Sequence, residues 1–240
     1  MDATALDRDV LAAALEQVAR ANFMLGGLRS LLRHLRPLVR GLNELQMLDV
    51  GVGNGRLSSR VARELGRDGV DVRWTGIDHH ADVLAVARRE LTGAPRGSGG
   101  GLTGARDIPL EPDVRTPSLI RADAEDLPFS DDSFDVAAAT LTLHHLSDPA
   151  CEAVLAEMAR VSRIAVLVSD LERSRLHYLG ARLLSATVWR RDPLTRYDAP
   201  LSVRRSFTRP ELEELAARAP FRSAVVKRHF PFRLLLEGRP

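Results

Sequence analysis

The stretch Leu48-Asp49-Val50-Gly51-Val52-Gly53-Asn54-Gly55 decides how the rest of the chain is read. An apolar run of strand length, residues 45–52, enters three glycines at alternate positions, and a helical pattern starts at Arg56. Glycines placed this way let the backbone come close to a bound molecule, because no side chain stands in between. A dinucleotide fingerprint requires G-x-G-x-x-G/A, the third small residue packing helix on strand. Counted from Gly51, that position is Arg56; the glycines follow G-x-G-x-G instead, with Asp49 two residues ahead. The spacing argues against NAD, and the ligand has to be read from the rest of the chain.

Downstream, the pattern alternates. "VDVRWTGIDHH" (70–80), "SLIRADAEDLPF" (118–129), "SFDVAAATLTLHHL" (133–146) and "RIAVLVSDLE" (163–172) read as strands, the third running into a loop. "GRLSSRVARELGRDG" (55–69), "ADVLAVARRELTG" (81–93), "DPACEAVLAEMARVS" (148–162) and "RSRLHYLGARLLSATVWRR" (173–191) read as amphipathic helices. Strands leading into helices predict βαβ units and a mostly parallel sheet. "TRPELEELAARA" (208–219) opens with a capping-box pattern, Thr208 as cap and Glu211 three residues on. "FRSAVVKRHF" and "FRLLLEG" then predict a C-terminal antiparallel hairpin at the sheet edge. Residues 1–44 predict two cover helices broken at Gly26-Gly27, with Phe23 and Met24 turned against the cleft. Residues 93–117, rich in glycine and proline, predict a flexible surface insertion within one domain spanning 1–240.

Bulk properties narrow the class. A chain of 240 residues can bury one full core. The acidic start MDATALDRDV lacks the basic head and apolar stretch of a signal peptide, and no apolar run is long enough to span a membrane. The single cysteine, Cys151, rules out an internal disulfide and a Cys-rich metal site, so no metal is expected. These points favour the cytoplasm. Lys227 is the one lysine among 34 basic residues, and the net charge is +2, so the basic character reads as compositional bias toward arginine. No basic stripe interleaved with aromatics suggests nucleic acid as a partner.

The ordered set Asp49-Val-Gly51-Val-Gly53-Asn-Gly55, "GIDHH", "ADAEDLPF" and "FDVAAATLTLHHLSD" resembles the class I S-adenosylmethionine-dependent methyltransferases, in particular the group that includes the ubiquinone/menaquinone-biosynthesis enzymes. The resemblance covers residues 45–170 and implies a Rossmann-like three-layer sandwich with a seven-stranded sheet. It departs from the family before the fifth strand, where "VSRI" replaces a Pro-Gly-Gly turn. It also implies S-adenosyl-L-methionine as cofactor and roles for individual residues. Gly51, Gly53 and Gly55 would meet the methionine part and ribose, and Asp49 would sit by the ammonium group or order the turn. Asp78 would accept both ribose hydroxyls, with His79 against the adenine. Asp123 and the Ala124 amide would meet the adenine edge. Thr140 and Leu141 would border the reacting methyl group.

The acceptor side is less marked. His145, then His144 and His177, are the candidate general bases, since imidazole titrates near neutrality. Residues 171–207 predict a lid over an apolar acceptor, with Asp170, Tyr178, Tyr197 and Arg204 on the substrate side. The expected partner is a small, largely apolar hydroxylated molecule, phenolic or polyketide-like, methylated on oxygen by a monomer or homodimer without stable membrane insertion. C-methylation of a quinone precursor, or a non-catalytic adenosylmethionine-binding regulatory subunit, are the alternatives.

Overall fold

A computed structural model of the chain describes residues 8–93, 116–187 and 200–240. Tyr197, most of the expected insertion and part of the expected lid lie outside the described residues. The helices α1 (Arg8–Met24) and α2 (Gly27–Leu38) precede the alternating part of the chain. There follow β1 (Glu44–Val50), α3 (Arg56–Arg67), β2 (Asp71–Asp78), α4 (Ala81–Leu91), β3 (Ser118–Arg121) and β4 (Phe134–Thr140). The chain closes with α5 (Asp148–Val161), β5 (Ser162–Leu171), α6 (Arg175–Ala186), α7 (Arg209–Arg218), β6 (Ser223–His229) and β7 (Arg233–Arg239).

The seven strands are ordered β3-β2-β1-β4-β5-β7-β6. Neighbours from β3 to β5 pair in parallel, and β7 runs antiparallel to both β5 and β6. The sheet is covered on both faces, which explains strands that are apolar at successive positions. Leu48, Val50, Ala137, Val166 and Leu236 face α5 and α7, while Met47, Ala138, Leu167 and Leu235 face α2 and α3. Each fully buried aliphatic here stabilises the fold by about 1.5–3 kcal/mol. α5 passes into β5 without an intervening residue, so the missing Pro-Gly-Gly turn is absorbed by direct continuation. At the start of α7 the Thr208 N–H donates to Glu211 Oε2 at 2.8 Å, as the capping pattern predicts.

The chain steps outward from β1 to β3 and then returns to β4 on the other side of β1. At such a reversal the loops after the two central strands part, and open α/β sheets bind ligands in the crevice this leaves.

Candidate active site

A cleft of about 710 Å³ opens at that crevice, at the carboxyl ends of β1, β2 and β4. The glycine turn forms its floor. Gly51, Gly53 and Gly55 have φ of 74°, 55° and 72°, a region that L side chains rarely adopt. Gly51 and Val52 donate their N–H groups to the Ile77 carbonyl at 3.0 and 2.9 Å, which ties the turn to β2. A Cβ on Gly51 would lie 2.6 Å from Thr142 Oγ1, whereas one on Gly53 would meet only Leu15 at 4.0 Å across the cleft. Gly55 departs from expectation: it does not line the cleft, and a Cβ there would meet Leu91 of α4 at 2.9 Å. The third glycine allows helix packing rather than ligand approach.

Asp49 falls on the α3-facing side of β1, where Ser58 Oγ donates to its Oδ2 at 2.5 Å. Burial pushes its carboxyl up to about 6; the Ser58 bond opposes this and the nearby Asp78 charge adds to it. Asp78 ends β2 at the cleft and accepts the His80 N–H at 3.0 Å. Burial raises its pKa against the backbone bonds from His80 and Gly53. Asp123 accepts the Glu125 N–H at 3.0 Å, an Asx-type turn that leaves the carboxylate on the cleft wall beside Ala124. His79, Thr140 and Leu141 also line the cleft. Leu141 holds φ 56°, an uncommon conformation for leucine, and its N–H donates to the Ser169 carbonyl at 3.0 Å.

The three candidate histidines separate. His145 is exposed on the cleft wall, its ring centroid 4.0 Å from that of His144. His144 is buried, with Nδ1 2.7 Å from Asp170 Oδ1, and does not line the cleft. His177 is buried too; its Nδ1 donates to the Glu172 carbonyl at 2.8 Å and its ring stacks on Phe232 at 4.7 Å. Burial pulls its pKa down. His144 and His177 are therefore packed, bonded side chains outside this cleft, and the expectation that either acts as base is corrected. Asp170, expected to face the substrate, has no exposed surface and accepts from His144 and from the Leu171 N–H. Arg204 is exposed and does not line the cleft. Tyr178 packs on the small cluster of Leu171, Ala181 and Val203, which also takes in Leu25 and the cleft residue Leu141.

α1 covers the opening with Leu15, Val18, Ala19, Asn22 and Phe23. Arg56 and Arg20 pair with Glu16, and the Arg60 guanidinium lies 5.5 Å over the Phe23 ring, so α1 is clasped to α3. Met24, expected against the cleft with Phe23, is 84% exposed and turns to solvent, because the helix ends there. Sequence reasoning also missed Asn22, His80 and Thr142. It passed over Asn54, although this is the one polar residue between the turn's glycines.

Two buried polar atoms on the cleft wall, Asn54 Nδ2 and Thr140 Oγ1, have no hydrogen-bond partner among the described residues. Together with the open face at Gly53 and the carboxylates of Asp78 and Asp123, they fit a nucleoside-bearing ligand that offers hydroxyl and amine donors to the carboxylates and an acceptor to Asn54. No group of three or more metal-ligating side chains is found among the described residues. None of the described helices is long and apolar enough to cross a membrane.

Known proteins share part of this sequence and its fold. The methyltransferase domain family matches residues 48–165. The ubiquinone/menaquinone biosynthesis C-methyltransferase UbiE of Burkholderia orbicola is 32% identical over 131 residues, 55% of this chain; the chain spans 44% of that relative's length. An S-adenosylmethionine-dependent methyltransferase from Aquifex aeolicus shares the fold with a TM-score of 0.64 at 15% identity, covering 95% of this chain and 97% of its own. Magnesium protoporphyrin IX methyltransferase of Synechocystis, solved with bound S-adenosylhomocysteine, gives 0.57 at 15% identity over 90% of this chain and 84% of its own. Residues 48–165 thus carry a methyltransferase domain, and the chain as a whole has the fold of S-adenosylmethionine-dependent methyltransferases.

Proposed function

We propose that this chain transfers a methyl group from S-adenosylmethionine to a small, largely apolar hydroxylated aromatic molecule, at a phenolic oxygen. The observation that carries this reading is the make-up of the cleft. Carboxylates gather at the β2 and β3 end, while Phe23, Leu141, Leu146 and Val154 make the remaining wall largely apolar, with the exposed imidazole of His145 on it.

The bound cofactor supplies an electrophilic methyl group. The Gly51–Gly53 turn and Asp49 would hold its amino-acid part, Asp78 its ribose, and Asp123 with Ala124 its base. Displacement at a methyl carbon needs the attacking atom in line with the leaving sulfur, so the walls act chiefly by orienting the acceptor. His145 would take the hydroxyl proton as the oxygen attacks. The cover helix, clasped at Glu16, Arg56 and Arg60, would exclude water once both molecules are in place.

Transfer to a ring carbon is the second reading, favoured by the C-methyltransferase relative. Loss of the hydroxyl proton also makes the ortho carbon of a phenol or quinol nucleophilic, so the same residues serve it. Incubation with trideuteromethyl-labelled cofactor and a panel of alkyl phenols and quinols, followed by NMR of the products, tests both. A methoxy product supports the first reading and a ring methyl the second. Binding of S-adenosylhomocysteine without any turnover would point to the regulatory subunit instead.

A further inference from the structure

The cover helix presents an apolar face to the cleft, and Asn22 is the polar residue on it. Asn22 is 6% exposed. Arg233 Nη2 donates to its Oδ1 at 2.6 Å, across 211 residues of sequence. A guanidinium can only donate, so this contact fixes the amide: the carbonyl points to Arg233, and Nδ2 is what Asn22 has left to offer the cleft. The helix break is shaped to permit it. Gly26 takes the left-handed turn at φ 74°, while a Cβ on Gly27 would lie 2.0 Å from Asn22 Oδ1.

Arg233 is itself fully buried, and its bonds go to neutral groups: Asn22, Ser169 Oγ at 3.0 Å and the Leu25 carbonyl at 3.4 Å. Burial draws its pKa down to about 10, with Asp170 opposing, so it stays charged at neutral pH. A buried cation whose hydrogen bonds go to neutral groups, with Asp170 as a countercharge it does not bond, is costly to bury, which points to a role in the site.

The brace also has a definite end of the cleft. Asp78 and Asp123 lie at β2 and β3, on one side of β1; Ser169 and Arg233 lie at β5 and β7, on the other. Leu25, just past Asn22, packs with Leu141, Leu171 and Tyr178. On the reading that the cleft takes cofactor and acceptor together, we propose that Asn22 Nδ2 is the hydrogen-bond donor that holds the acceptor's oxygen, and that Arg233 is the positioning residue that aims it.

The Asn22→Asp variant separates this from a structural role, since it keeps an oxygen for Arg233 and removes the donor. Calorimetry would first titrate S-adenosylhomocysteine, then para-butylphenol and butylbenzene into the loaded protein. The expected result is cofactor-product affinity within about twofold of wild type, phenol affinity down about tenfold, and butylbenzene unchanged. Arg233→Met should lower phenol affinity similarly, and Arg233→Lys should restore much of it, because an ammonium also only donates. Unchanged phenol binding in Asn22→Asp overturns the proposal, as does absence of phenol binding by wild type. A parallel loss of S-adenosylhomocysteine affinity reassigns the amide to the cofactor and overturns it too. Failure of wild type to bind S-adenosylhomocysteine would instead overturn the reading of the cleft itself.

Discussion

His144 and Asp170 are joined twice: Nδ1 lies 2.7 Å from Oδ1, and the His144 backbone N–H donates to Oδ2 at 3.2 Å. Both side chains are almost wholly buried. The double contact fixes the short helical turn Leu143–His145 on the end of β5, and the next ring, His145, is thereby set on the cleft wall.

Two adjacent histidines should therefore fail in different ways. His145→Ala should lower turnover by about 10²–10⁴-fold with S-adenosylhomocysteine affinity unchanged, if it takes the acceptor's proton. His144→Ala removes the ring's bond to the buried Asp170 carboxylate, which keeps its two backbone bonds, and should cost about 1–3 kcal/mol in urea unfolding. Equal turnover in His145→Ala would remove it as the base.

Asp49 holds its proton to about pH 6, against an ordinary value of 3.8. Between those values the folded chain is protonated where the unfolded chain is not, so this group stabilises the fold at low pH. That contribution is lost as pH rises through about 6, a cost on the order of 3 kcal/mol at pH 7. The substitution Asp49→Asn keeps an oxygen for Ser58 and carries no charge. The variant should match wild type near pH 4 and be more stable by about 1–3 kcal/mol at pH 7, while losing cofactor affinity. Urea melts across that range, with S-adenosylhomocysteine titrations at pH 7, check both halves.

Gly51→Ala should be harmful for two separable reasons. The left-handed φ costs about 1 kcal/mol for a residue with a Cβ, and that Cβ would press on Thr142 at 2.6 Å. A total of about 2–4 kcal/mol in chemical denaturation is expected. Thr142→Ala in the same chain should recover part of it by removing Oγ1 and Cγ2, leaving the backbone strain. No recovery would mean that contact with Thr142 is not the source.

What was legible in the sequence follows from what is local. The strands showed because both faces of the sheet are covered, giving apolar runs, and the helices because each buries one stripe. The turn showed because Gly51, Gly53 and Gly55 all hold a left-handed φ that favours glycine. Residues placed by distant contacts were not legible. Asp170 and His177 look like site residues in a string of letters, but Asp170 is buried against His144 and His177 is stacked on Phe232, which makes them internal partners. Asn22 looked like an ordinary helix residue, since Arg233, which orients it, comes from the last strand. Gly55 matched the motif yet answers to Leu91 of a different helix.

The clasp on the cover helix gives the last prediction. Burial pushes the Glu16 carboxyl up, but bonds and charges from Arg20 and Arg56 outweigh this and hold it below its ordinary value. A carboxylate with a lowered pKa adds stability above pH 4.5 that fades as pH falls below it. The pair with Arg56 joins α1 to the first turn of α3, immediately after the glycine turn, so loosening it should free the cover before it unfolds the domain. Glu16→Gln should therefore change global stability by about 1 kcal/mol or less, as for other partly exposed pairs. S-adenosylhomocysteine should leave severalfold faster in stopped-flow displacement, with its entry rate little altered. Lowering the pH of wild type below 4.5 should speed release in the same way, and the variant should lose that dependence. Identical release rates in variant and wild type would show that α1 is held over the cleft by its apolar face alone.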